Sequence, residues 1–160
     1  MNALCATGKR NILYIYDALT PSAAAKLSGY IAGITKNGIA YDENLIIKTS
    51  KTIEGGKSAV KTAVKNGIVP DAVICAEDIL AIGAMKEMQK HKTAPCAIGF
   101  NNSFLCECTS PTLSSIDNRL EDMCRMSVNM MKKVLKGEKT DKKYKLSAEL
   151  VPRESFKTVN

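Results

Sequence analysis

Asp71-Ala72-Val73-Ile74-Cys75-Ala76-Glu77-Asp78-Ile79-Leu80-Ala81-Ile82-Gly83-Ala84-Met85 decides the reading of this chain. A short apolar run, Ala72 to Ala76, meets an acidic pair, and a helical stretch starts at Ile79. Such a strand-to-helix junction is where open α/β sheets bind small molecules, at the carboxyl edge of the strands.

Strands and helices alternate on both sides of it. Before it, Asn2 to Thr7 reads as a helix tail stopped by Gly8, which implies more helix upstream, and Asn11 to Tyr16 reads as a buried strand. Thr20 with Pro21 is an N-cap followed by proline at the first helical position. Leu27, Tyr30, Ile31 and Ile34 then form one apolar face, closed by Gly38. Asn44 to Lys48 is a second strand and Glu54 to Asn66 a helix. After the junction, the helix from Ile79 runs to about His91, and Pro95 introduces a fourth strand, Cys96 to Phe100. This alternation predicts a three-layer α/β fold with a mostly parallel, doubly wound sheet.

The remainder breaks the rhythm. Leu113 to Ile116 reads as a short strand, and Asp117 to Leu135 as a helix with Leu120, Met123, Ser127, Met130, Met131 and Val134 on one side. A lysine-rich turn follows, then an edge strand from Lys145 to Pro152, whose proline cannot donate to a ladder.

Composition narrows the function. A chain of 160 residues with 45% hydrophobic and 24% charged residues fits one globular domain. No apolar run approaches the roughly 20 residues needed to span a bilayer. Met1 to Arg10 holds no secretory core either, so no membrane association and a cytoplasmic location are expected. The net charge of +7 is carried mainly by lysine, since only Arg10, Arg119, Arg125 and Arg153 of the 23 basic residues are arginines. Groove reading leans on arginine forks, and the cluster Lys132, Lys133, Lys136, Lys139, Lys142, Lys143 and Lys145 has only Tyr144 for stacking, so it reads as a solvated surface.

The six cysteines read as reduced, apolar-like thiols. Cys106-Glu107-Cys108 with a single histidine, His91, does not supply a four-ligand zinc site, and no metal or other cofactor is expected. No Ser-His-Asp set supports catalysis, so the chain is not read as an enzyme.

Polar residues converge past the ends of the four expected parallel strands: Asp17, Ser22 and Lys26; Thr49, Ser50 and Lys51; Glu77 and Asp78; Asn101 and Asn102. Asp78 also reads as a cap for the following helix.

Six segments, in order, resemble the effector-binding core of LacI/GalR transcription regulators, a periplasmic-binding-protein-like fold. They are Gly8 to Ile12, Lys26-Leu27-Ser28-Gly29-Tyr30, Cys75 to Met85, Ile98-Gly99-Phe100-Asn101-Asn102, Leu113 to Ile116, and Leu150 to Ser155. The resemblance spans nearly the whole chain and corresponds to the later part of that core. It implies an effector-sensing and dimerising part of a regulator, responding to a sugar or related metabolite.

By the same resemblance, effector contacts fall on Ser22, Lys26, Lys51, Glu77, Asp78 and Asn101. Three depart from the family pattern. Lys26 stands where an arginine is common, Lys51 lacks a stacking face, and Asn101 replaces an aspartate. These changes leave open an anionic or phosphorylated ligand held by Lys26 and Lys51, or no ligand at all.

The resemblance further implies that residues 1–116 and 146–160 form the C-terminal subdomain, and that 117–145 form a crossover helix and turn belonging to the other subdomain. Operator DNA would be reached only through a helix-turn-helix outside this sequence. A homodimer is expected through the helix Ile79 to His91 and the loop Asn102 to Cys108. The apolar side of Asp117 to Leu135 is expected to fold back on its own sheet or to pair with a second copy. Two other readings stand beside this one. They are a stand-alone solute-binding module, and a flavodoxin-like or Rossmann-like enzyme, whose phosphate loop is not matched by the glycine-free Asp17-Ala18-Leu19-Thr20-Pro21.

Overall fold

In a computed structural model, described over residues 1–91, 96–141 and 143–156, six strands form one sheet in the order β2-β1-β3-β4-β5-β6. The strands are β1 (Ile12–Tyr16), β2 (Ile46–Lys48), β3 (Ala72–Cys75), β4 (Ala97–Phe100), β5 (Ser114–Asp117) and β6 (Glu149–Val151). The first five pair in parallel, and β6 closes the edge antiparallel to β5, with Ser115 opposite Val151. The helices are α1 (Asn2–Ala6), α2 (Pro21–Lys36), α3 (Ile53–Lys65), α4 (Asp78–Lys90) and α5 (Leu120–Leu135). The expected three-layer, mostly parallel α/β architecture is the one found. Pro95, Lys142 and the end of the 146–160 segment lie outside the described residues.

Strand alternation builds two cores. Along β1, Leu13 and Ile15 face α3 and α4, with Val60, Val73, Leu80 and Met85. Ile12 and Tyr14 face the other way, toward α1 and α2, with Leu4, Tyr30 and Ile34. Thr20 caps α2 by accepting a hydrogen bond from the Ala23 amide, as its place before Pro21 predicts. Tyr30 then anchors α2 to β1 by donating its hydroxyl to the Ile12 carbonyl at 2.8 Å. Burial pushes that phenol up to about 12.

The α3–α4 contact is backbone against backbone. A Cβ on Gly83 would collide with the carbonyl of Ile53, and one on Gly56 with the carbonyl of Leu80. Only glycine lets α4 sit this deep, with Leu80, Ala81, Ala84, Met85 and Met88 all buried. The position of α4 matters because its N-terminus carries the acidic pair.

Three element boundaries differ from the sequence reading. Glu43–Leu45 is a turn of 3-10 helix rather than strand, because the Asp42 carboxylate accepts the Asn44 amide and curls the chain before β2. The last helix begins at Leu120 rather than Asp117. Asp117 belongs to β5, and its carboxylate takes the Arg119 amide at 2.7 Å while Arg119 adopts a left-handed φ of 57°. The edge strand contracts to Glu149–Val151, after which Ser155 pins the chain by donating to the Ala97 carbonyl and accepting the Ser114 amide.

The expected fold-back of α5 does not occur. No residue of α5 is buried, and Leu120, Met131 and Val134 are 60%, 64% and 60% exposed. Among the described residues no helix is long and apolar enough to cross a membrane.

Gly83→Ala is expected to lower stability by about 1–3 kcal/mol through overpacking against the Ile53 carbonyl. Gly29→Ala, where the added methyl meets nothing within 4 Å, is expected to raise it by up to about 1 kcal/mol through helix propensity. Urea midpoints of the two variants separate close approach from propensity.

Candidate functional site

The turn from β3 into α4 sends two neighbouring carboxylates in opposite directions. Glu77 precedes the first helical residue and makes no capping bond to its own helix. Instead one oxygen lies 3.0 Å from the Lys51 ammonium and accepts the Asn101 amide at 2.9 Å, while the other is 3.7 Å from the Lys26 ammonium. Four segments therefore meet at one carboxylate: α2, the β2–α3 loop, the β3–α4 turn and the end of β4.

Lys26 is the fixed cation of the pair. Its ammonium donates to the Ala76 carbonyl at 2.8 Å and lies 3.8 Å from the centre of the Phe100 ring, and its side chain is only 15% exposed. Burial lowers its pKa from the ordinary lysine value, against the opposing pull of Glu77. Lys51 is the more exposed of the two. It is 53% exposed and pairs with Glu77 at the inner end of its side chain.

Asp78 turns into the protein. Its carboxylate accepts the Ser115 hydroxyl at 2.6 Å and the Ser103 amide at 2.7 Å, and the residue is 3% exposed. Gly99 lies against it so closely that a Cβ there would overlap the carboxylate. Asp78 thus neither caps α4 nor offers a free oxygen to a ligand. It ties the ends of β4 and β5 to α4, because a buried charge demands donors. Ser22 stands exposed in the first turn of α2, and among the described residues no hydrogen bond joins it to the Glu77 group.

Three residues at this edge escaped the sequence reading. Phe100 lies beneath Lys26, a cation–π contact of about 1–2 kcal/mol when desolvated. Asn118 donates to the Asn101 side-chain oxygen at 3.2 Å, and Asp117 accepts the Asn102 side-chain amide at 3.2 Å. Treating β5 as one more parallel strand brings Asp117 and Asn118 to the same carboxyl edge as the rest. Its pairing with β4 shows that it is one.

Below this polar edge, on the α1–α2 side of the sheet, lies a cavity of about 600 Å³. Its walls are mainly apolar, among them Tyr30, Ile98, Ile116 and Leu150, and it reaches the edge at Lys26 and Phe100. Cys75 borders the cavity as a buried residue, and Cys96 and Cys106 are not among its lining residues. Burial raises Cys96 and Cys106 to about 11, which keeps both protonated.

Residues 1–156 match the family model described as a periplasmic-binding-protein-like domain. The chain belongs to that family. It is 35% identical over 159 residues to an HTH-type transcriptional regulator of Lachnoclostridium phytofermentans, an alignment covering 97% of this chain and 48% of that protein. Among solved structures it resembles a sugar-binding LacI-family regulator of Escherichia coli complexed with phosphate, at 26% identity and a TM-score of 0.87, covering 96% of this chain and 57% of that one. The Escherichia coli repressor AscG is similar at 25% identity and a TM-score of 0.88, over 96% of this chain and 58% of that one. The chain spans about half the length of the curated relatives it matches. The resemblance to LacI/GalR-type regulators read from the six segments is therefore upheld.

Asp78→Ala leaves the Ser115 hydroxyl and the Ser103 amide without their acceptor, so stability is expected to fall by about 3 kcal/mol. Lys51→Ala removes a half-exposed ion pair and is expected to cost under about 1 kcal/mol. Thermal and urea unfolding of the two variants provide the comparison.

Proposed function

We propose that this chain is the effector-sensing and dimerising part of a LacI/GalR-type transcriptional regulator. The observation that carries the reading is the Glu77 carboxylate held between Lys26 and Lys51 beside Asn101, at the carboxyl edge of the parallel strands. The effector contacts are Ser22, Lys26, Lys51, Glu77 and Asn101, while Asp78 holds their frame. The regulators it is similar to favour binding over catalysis, and no catalytic role is assigned to any residue. The working site is cytoplasmic, where such a regulator meets DNA.

The charge balance favours a neutral, hydroxyl-rich effector over an anion. Both ammonium groups already face Glu77, and the Lys26 donors are also directed at the Ala76 carbonyl and the Phe100 ring. Hydroxyl groups of a neutral ligand donate to the Glu77 carboxylate, whereas a phosphate monoester dianion has no proton to donate and is repelled by it. This choice between the two ligand classes rests on the hydrogen-bonding capacity of the site.

The partner of this chain is a second copy, joined through α4 and the loop that follows β4. That loop displays Phe104 at 77% exposure, an aromatic side chain of the kind that anchors interfaces. Contact with operator DNA requires a helix-turn-helix supplied elsewhere in a longer protein.

Titration calorimetry with neutral mono- and disaccharides, set against their phosphorylated forms, tests the effector class. Binding of a neutral sugar that Glu77→Met weakens at least about tenfold, a loss of about 1.4 kcal/mol, is the expected result. Binding only of the phosphorylated form, strengthened by Glu77→Met, would reverse the assignment. Sedimentation equilibrium is expected to show a dimer that Phe104→Asp converts to monomer.

A further inference from the structure

The Glu77 group does not end at Asn101. Asn101 donates its amide to Glu77 at 2.9 Å, and its oxygen accepts the Asn118 amide at 3.2 Å. Asn118 lies two residues before the first residue of α5. A carboxylate only accepts, so Glu77 dictates that Asn101 present its NH2 to it. The Asn101 oxygen then faces Asn118, which in turn must present its own NH2. The Asn118 oxygen is left buried with no hydrogen-bond partner.

The backbone at this point is strained. Asn101, Asn102 and Arg119 are the non-glycine residues with positive φ among those described, at 97°, 50° and 57°. Two of them meet at Asp117, which accepts both the Asn102 side-chain amide and the Arg119 backbone amide, and Asn101 is bonded to Asn118, the residue between Asp117 and Arg119. Strain and an orphaned acceptor together mark a segment held by its neighbours rather than by its own preference. α5 has no buried residue to steady it. Among the described residues its N-terminus is tied to the sheet by the Arg119 amide on Asp117 and by an exposed ion pair, Arg119 with Glu149 at 3.8 Å, which is a weak restraint.

We propose that Asn101 and Asn118 form a positioning relay that makes the direction of α5 depend on what Glu77 is bonded to. When Glu77 keeps its bond to Asn101, both amides have one allowed orientation and α5 leaves the sheet in one direction. When a ligand draws Glu77 away, neither amide is fixed and the left-handed start of α5 is released. Asn101 therefore acts beyond ligand contact, and Asn118 acts without touching a ligand. The inference rests on the reading of Glu77 as an effector contact.

The chain carries its own reporters, because Cys108 and Cys124 are exposed while Cys5, Cys75, Cys96 and Cys106 are buried. Cys124 lies in α5 and Cys108 lies in the loop after β4. Spin labels on these two thiols, in protein diluted with unlabelled chain, report the α5 direction as a distance distribution. The parent protein is expected to give one narrow distance, lost in Glu77→Met and in Asn118→Asp. The double variant is expected to be no broader than either alone, the mark of two residues in one chain of contacts. Asn101→Ser breaks the same chain at its middle and carries the same expectation if Glu77→Met does not fold.

A narrow distance retained in the folded variants, or additive broadening in the double, overturns the relay. Failure of sugars to bind counts against the effector reading alone, because the relay experiment uses no ligand.

Discussion

A carboxylate removed from water must find hydrogen-bond donors, and Asp78 finds them on β5 and on the loop after β4. Its bonds to the Ser115 hydroxyl and the Ser103 amide draw the ends of β4 and β5 onto the N-terminus of α4. Gly99 is the matching concession, since any side chain there would occupy the space of the carboxylate. With those ends fixed, the next carboxylate along, Glu77, is left facing outward at the edge where β1, β3, β4 and β5 converge. One acidic residue builds the frame and its neighbour occupies it.

The same geometry explains why a site with two lysines is not an open anion trap. Lys26 is held by a carbonyl, an aromatic face and Glu77, and Lys51, among the described residues, by Glu77. An anion entering here would compete with a carboxylate already at contact distance. A polyol would find acceptors and one mobile ammonium group. The asymmetry between the lysines comes from burial: the desolvated one is locked and the half-exposed one can move.

Coverage of the sheet is uneven, and that shapes the surface. On one face α3 and α4 interlock through Gly56 and Gly83 and seal the core. On the other, α1 is five residues long and a cavity of about 600 Å³ remains over the strands toward β6. α5 leaves the body with its apolar side chains exposed.

Much of this was legible in the residues alone. The apolar runs at Ile12–Tyr16, Ala72–Cys75 and Ala97–Phe100, the Thr20-Pro21 cap and the stop glycines are local signals, and the chain obeys them because local sterics and burial act over a few residues. Lys26, Lys51, Glu77 and Asn101 could be gathered from sequence because parallel strands place their carboxyl ends side by side. The role of Asp78, the relay through Asn118 and the exposure of α5 could not. Asp78 meets Ser115 across 37 residues of chain, and no periodicity encodes which donor a buried carboxylate will reach. The sequence determined the layers and the edge where chemistry gathers; the tertiary structure decided which polar group faces in and which faces out, because hydrogen-bond partners distant in the chain are chosen by packing.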